Sequence, residues 1–168
     1  MTNAVILDPV PSYRFSVTLN PADAYLPRAQ QEQISRVSLG DFQSVKGLSG
    51  QLEVTPYAEG GLNDFVHQLP VRHTWTNISL ERGVVKDVGL WDWYVAGLTQ
   101  SLGARRSGSI LLFDHSGAPV VSWDFRSGLV VKWNGPELNA TSDSVAVESI
   151  EIAHHGINQV RRSNGGGA

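Results

Sequence analysis

From Tyr13 to Leu19 the chain alternates. Tyr13, Phe15, Val17 and Leu19 fall on one side of an extended backbone, with Arg14, Ser16 and Thr18 between them. A period of two marks a half-buried strand. Pro9 and Pro11 fix an extended approach, and Asn20-Pro21 ends the run. Residues 21–34, PADAYLPRAQQEQI, break the pattern and read as a surface insertion. A second strand is expected over Arg36–Val45. Its apolar phase slips between Val37/Leu39 and Phe42, with Gly40 at the slip, which predicts a bulge. Alternation returns at Gln51–Thr55 and again at Thr76, Ile78 and Leu80. Residues 50–58 and 62–82 thus read as long strands joined through Glu59-Gly60-Gly61, a protruding hairpin over 50–82.

The period changes to helical over residues 87–102. Leu90, Trp91, Tyr94, Val95, Leu98 and Leu102 form an apolar stripe, Asp87 stands at the N-cap position and Gly103 at the C-terminal stop. On this pattern Trp91 is core and Trp93 a contact residue. A β-hairpin follows: Ser109–Phe113, a turn at Asp114-His115-Ser116-Gly117, and a long return over Pro119–Trp133. In the return, Val121, Trp123, Phe125, Leu129, Val131 and Trp133 share the buried parity. The last predicted strand, Ser144–His154, switches parity between Val145/Val147 and Ile150/Ile152, implying a second bulge. The elements add up to a mainly β chain: an antiparallel β-barrel or sandwich with one packed helix. One domain is expected over residues 1–160, with a flexible tail over 161–168.

Composition refines this picture. Charged residues are 17% of the chain, low for a soluble domain, while Gly (17 residues) and Trp (five) are frequent, which fits equally a surface partly covered by partners and a small β protein with many turns. Thirteen basic and 16 acidic residues give a net charge of -3, and no basic block is present, which disfavours electrostatic capture of nucleic acid. No apolar run reaches the length of a membrane span, so no membrane insertion by this chain is expected. The start, MTNAVILDPV, lacks the pattern of a secretory signal. Without cysteine there are neither disulfides nor thiolate metal sites.

Chemistry is sparse. Glu59, Asp64 and His67 cluster in sequence, but no feature supplies a cleft around them, and turn-shaping by Asn63 and Asp64 is the simpler reading. His154 and His155 point to opposite faces if they lie on a strand, so they do not chelate one metal. Trp75 or Trp93 on a carbohydrate-binding face is an alternative that competes with core or subunit-interface roles. No catalytic residue, metal ligand or cofactor is expected.

One ordered set of segments carries a resemblance. Asp8-Pro9, Tyr13-Arg14-Phe15 and Val45-Lys46-Gly47-Leu48 come first. Residues 57–70 follow, YAEGGLNDFVHQLP, then Leu80-Glu81-Arg82-Gly83 and Leu90-Trp91-Asp92-Trp93. Residues 132–140, KWNGPELNA, and Glu151-Ile152-Ala153-His154-His155-Gly156 complete it. Over residues 8–157 the chain resembles the tail tube proteins of contractile phages and of phage-like extracellular contractile injection systems. Two departures stand out: the insertion at 21–34 is long, and His155 replaces the Glu of an Ala-His-Glu-Gly ending.

The resemblance implies a β-barrel subunit with one helix. A homo-hexameric ring of it stacks into a hollow tube inside a contractile sheath, with baseplate or initiator and terminator proteins at the ends. It also implies a lumen that carries an effector protein, or DNA in a phage, and assembly in the bacterial cytoplasm into a tail-like particle. Within that frame Tyr57, Glu59, Gly60, Gly61, Asn63, Asp64, His67, Leu69 and Pro70 are the expected subunit or ring interface. The polar parity Gln51, Glu53 and Thr55 is the expected lumen-facing set.

Overall fold

The alternating segments pair as antiparallel strands around one apolar core. The structure, a computed structural model, describes residues 14–19, 42–61, 64–84, 89–100, 105–141 and 144–161. Strand β1 is Phe15–Leu19, β2 Ser44–Lys46, β3 Gly50–Tyr57, β4 His67–Trp75 and β5 Ile78–Gly83. Helix α1, Gly89–Gln100, precedes β6 Arg106–Phe113, β7 Pro119–Asn134, β8 Val147–Ala153 and β9 Ile157–Arg161. The insertion 21–34, the expected bulge at Gly40, the caps Asp87 and Gly103, and Asn63 lie outside the described residues. So do residues 162–168 of the expected tail, whose first residue, Arg161, instead ends β9.

Two sheets share one long strand. The first half of β7 pairs with β6 and β9, and β6 pairs with β1; the second half of β7 pairs with β8, which leads to β5 and β2. The crossing falls at a bulge. Gly108 faces Phe125 and Arg106 faces Gly128, so β7 carries one extra residue, and Ser127 sits at φ 51°. A bulge lets one strand turn a corner between two sheets. It also resets the phase: Phe125, Gly128 and Val130 are buried, and Val131, predicted buried, is exposed. The expected barrel does not close among the described strands, because β1 and β2 end their sheets unpaired with each other. The result is a sandwich. A mainly apolar recess of about 350 Å³ opens where the two edges stand apart, lined by Phe15, Val45, Leu48, Ile110, Leu112 and Trp123.

The core draws on every layer: Val17, Ile110 and Phe125 from one sheet, Ile78, Leu80, Val130, Ile150 and Ile152 from the other, and Leu90 and Trp93 from α1. Each such side chain contributes roughly 1.5–3 kcal/mol on burial. The helix is rotated from the predicted stripe. Trp93 is 1% exposed and Trp91 43%, so the expected roles of the two tryptophans are reversed. The segment GLWDWYVAGL is apolar almost all round, and its own pattern cannot choose the inward side. Packing chooses: the Arg106 guanidinium lies 5.5 Å from the Trp93 ring centroid, while Trp91 sets its edge against Trp133 at 4.7 Å. Burial pushes Arg106 below the ordinary arginine range.

The predicted bulge in the last strand is absent. Glu148, Ile150 and Ile152 form one buried row in β8, and Val145 lies outside the strand and exposed. Glu148 takes an inward position because its Oε1 accepts a hydrogen bond from Arg82 Nε at 2.8 Å, and its Oε2 accepts one from Trp133 Nε1 at 3.3 Å. The predicted turn at Asp114 holds. Asp114 Oδ1 accepts from Ser116 Oγ (2.6 Å), Ser116 N (2.8 Å) and Ala118 N (2.9 Å), and Gly117 takes φ 86°.

This packing is open to two tests. Glu148→Ala leaves the buried Arg82 without its carboxylate and is expected to cost about 3–5 kcal/mol in urea unfolding, most of it recovered by Arg82→Met/Glu148→Leu. The Ser116 hydroxyl and the turn amides hold the Asp114 carboxyl below its ordinary value. A lowered native value means stability that is present above the unfolded-state value, ~3.9, and lost as pH falls through the native one. Unfolding titrations of the wild type and Asp114→Asn should therefore differ by a constant amount near neutrality and converge in acid.

Candidate functional site

Hairpin β3–β4 stands apart from the sandwich. Its two strands pair only with each other among the described strands, and every described residue from Ser49 to Asn77 is exposed except His67, which is half-buried. The register places Gln51 opposite Thr74, Glu53 opposite Arg72, Thr55 opposite Leu69 and Tyr57 opposite His67. Opposed residues share a face, so one face is polar along most of its length. The other face carries Leu52, Val54 and Pro56 with Trp75, His73 and Pro70, and Val71 is the extra residue at a bulge between them. Leu52 is 54% exposed and Val71 60%. Residues 62–82, expected as one strand, are in fact β4 and β5, separated at Thr76-Asn77 where the arm meets the body.

At the tip, Gly61 has φ +90°, and a Cβ at Gly60 or Gly61 would meet nothing within 4 Å. His67 Nε2 lies 3.3 Å from Glu59 Oε2, with the Phe65 ring edge-on at 5.1 Å. Glu59 and His67 therefore meet, with side chains 60% and 41% exposed. No cluster of metal-ligating residues forms among the described residues, and none of their helices is long and apolar enough to cross a membrane. Of the expected interface set, Tyr57, Glu59, Gly60, Gly61, Asp64, His67, Leu69 and Pro70 all lie on the arm.

The arm's base is built from residues to which the sequence pattern assigns other roles or none. Thr76 N donates to Ser49 O at 3.0 Å, and Ser49 Oγ donates to Thr76 Oγ1 at 2.9 Å. Gly47, at φ +84°, crosses so close to Asn77 that a Cβ would lie 1.9 Å from its carbonyl oxygen. Trp75 packs edge-on against His73 at 4.5 Å and lies 6.0 Å from the His154 ring. Trp75 is thus part of the joint while remaining 38% exposed, and Trp93 is core, which removes Trp93 from a carbohydrate platform.

The far end of the same sheet also exposes apolar side chains. Strand β5 runs from the arm at Ile78 to Gly83, which pairs with Val147. Beside that end Val84, whose N–H donates to the Ala146 carbonyl, and Val145 are exposed.

This architecture matches known proteins. The family model of the T4-like virus tail tube protein gp19 matches residues 11–158. The chain belongs to that tail tube family. Among solved structures, this tail tube protein resembles a chain of the sheath–tube complex of an extracellular contractile injection system, PVC, in its extended state. Identity is 23% over 94% of this chain and 95% of the other, with a TM-score of 0.72. A chain of the anti-feeding prophage baseplate matches at 24% identity, over 93% and 98% of the two chains, with a TM-score of 0.73. One from that particle's tube-terminating cap matches at 22%, over 96% and 97%, with a TM-score of 0.74. At these identities the likeness is one of fold. No curated protein sequence matches the chain.

The joint and the tip should respond oppositely to a methyl group. Gly47→Ala strains a left-handed backbone and clashes with Asn77, so a loss of more than about 1–2 kcal/mol is expected. Gly60→Ala should stay within about 0.5 kcal/mol of wild type. Thermal melts of the two variants check both.

Proposed function

We propose that this chain is the inner-tube subunit of a contractile injection apparatus. Copies close into hexameric rings, the rings stack into a hollow tube, and sheath contraction drives the tube with its effector cargo into a target. The observation that carries this reading is the naked arm. A two-stranded hairpin is at best marginally stable alone in water, and this one also presents an apolar face to solvent. Neighbouring copies that cover that face and pair with its free edges turn a hazard into assembly. Family membership and the folds of chains from sheath–tube, baseplate and cap assemblies support the same partners here.

Residues Tyr57, Glu59, Gly60, Gly61, Asn63, Asp64, His67, Leu69 and Pro70 make the contact to another copy. Gln51, Glu53 and Thr55 share a polar face suited to a wet lumen. A head-to-tail stack is favoured by the exposed Val84 and Val145 at the far end of the sheet, which the next copy would then cover. Such a contact does not close on itself and so propagates. The subunit itself performs no catalysis. The family's phage members favour a second reading, a phage tail tube with DNA in its lumen. Capsid genes beside this one indicate the phage, and sheath and baseplate genes without them indicate the injection apparatus.

Negative-stain microscopy of the purified chain is expected to show rings or tubes. A species that stays monomeric at high concentration, even with its tail partners present, would overturn the proposal. Replacing Gly60 and Gly61 by bulky residues should preserve the folded subunit by circular dichroism and stop tube growth. A charge-assisted hydrogen bond buried between copies at the tip is worth roughly 1.5–3 kcal/mol, and it recurs at every subunit.

A further inference from the structure

An arm that reaches a neighbour needs more than length, because its angle must be fixed. Eight residues of strand extend about 27 Å, so a tilt of about ten degrees moves the tip by about 5 Å. That exceeds the tolerance of any hydrogen bond at the tip. Yet the described strands of the body make no ladder with β3 or β4. Among the described residues, the angle is therefore set at the joint.

One side chain there ties the arm to the opposite strand end. His154 follows β8 and is half-buried. Its Nδ1 faces the Gly156 amide at 3.2 Å, and its Nε2 lies 3.0 Å from the Thr76 carbonyl oxygen. A backbone N–H can only donate, so Nδ1 is the acceptor and Nε2 carries the proton given to Thr76. Both nitrogens are thus committed, one to the β8–β9 turn and one to the arm's linker. Aromatic contacts steady the ring: Trp75 of the arm at 6.0 Å and Phe125 of the core at 6.5 Å. Gly156 completes the seat. It takes φ +140°, and a Cβ there would lie 3.4 Å from Trp75 Nε1. The other bonds at the joint, Thr76 N to Ser49 O and Ser49 Oγ to Thr76 Oγ1, connect the arm's two strand ends to each other. They resist splaying and leave rotation of the whole arm to His154 and its neighbours.

We propose that His154 is the positioning residue that sets the angle of the β3–β4 arm, through its paired hydrogen bonds to Gly156 and Thr76. The consequence for ring closure rests on the arm being the subunit contact, as proposed above. The positioning itself does not.

Because the chain has no cysteine, two spin labels can be placed cleanly, at Ala58→Cys near the end of β3 and at Glu137→Cys after β7, both exposed positions outside the proposed contact set. The full-length labelled chain, diluted into unlabelled chain, reports the tip-to-body distance by pulsed electron resonance. The wild-type background should give one narrow distribution. His154→Ala should shift its centre by about 5 Å or broaden it at least twofold, with the melting temperature of the body little changed. His154→Gln retains a donor for Thr76 and should fall between the two.

A His154→Ala distribution that superimposes on wild type overturns the proposal, as does a wild-type distribution already as broad as the variant's. Microscopy of the unlabelled wild-type and His154→Ala chains separates the two claims. A displaced arm with tubes still forming normally upholds the positioning role and refutes the arm as the subunit contact. An undisplaced arm with tubes lost does the reverse.

Discussion

Backbone N–H and C=O groups along a strand need partners, and so do apolar side chains on an extended arm. In β3–β4 the two strands satisfy one edge of each other and leave the outer edges and one apolar face to be met from outside. The rest of the molecule is arranged around that demand. The sandwich holds the core, the helix covers its flank, and the joint at Ser49, Thr76 and His154 carries the arm away from the body. Folding of the body therefore draws on surfaces other than those the arm exposes. The buried rows of β5, β8 and α1 stabilise one chain, and the exposed rows of β3 and β4 have nothing within the described chain to bury them.

Much of this is readable from periodicity. Strict alternation marks β1, β3 and β5, and the turn chemistry of Asp114 and Gly117 locates the β6–β7 hairpin correctly. The failures have physical causes. The predicted stripe on α1 is misplaced because tryptophans at 91 and 93 are equally apolar, and only Arg106 and the core beneath decide which turns inward. In β7 a straight phase runs through a corner that Ser127 makes by adopting a positive φ, a conformation its residue type does not advertise. In β8 the inward Glu148 looks like a break in the apolar row because its partner, Arg82, lies far away in sequence.

The site is legible in outline and not in mechanism. Residues 57–70 stand out for their glycines and charged groups, and the described ones among them form the tip and the returning strand. What sequence cannot supply is exposure. That distinguishes Glu59 and His67 on an open surface from the same pair in a cleft. The joint is hidden for a related reason: a histidine with both nitrogens committed to backbone groups leaves no local signature, and only its closeness to Gly156 hints at it.

A subunit repeated around an axis and along it multiplies every small property of its surface by the number of copies. On the polar face of the arm, Glu53 and Arg72 stand opposite each other in register, and Gln51, Thr55 and Thr74 beside them carry no charge. The quantity multiplied along that part of the face is close to zero. If that face borders a channel, this stretch adds neither a charged barrier nor a charged trap. A polymer of either sign would then slide past it with little electrostatic friction.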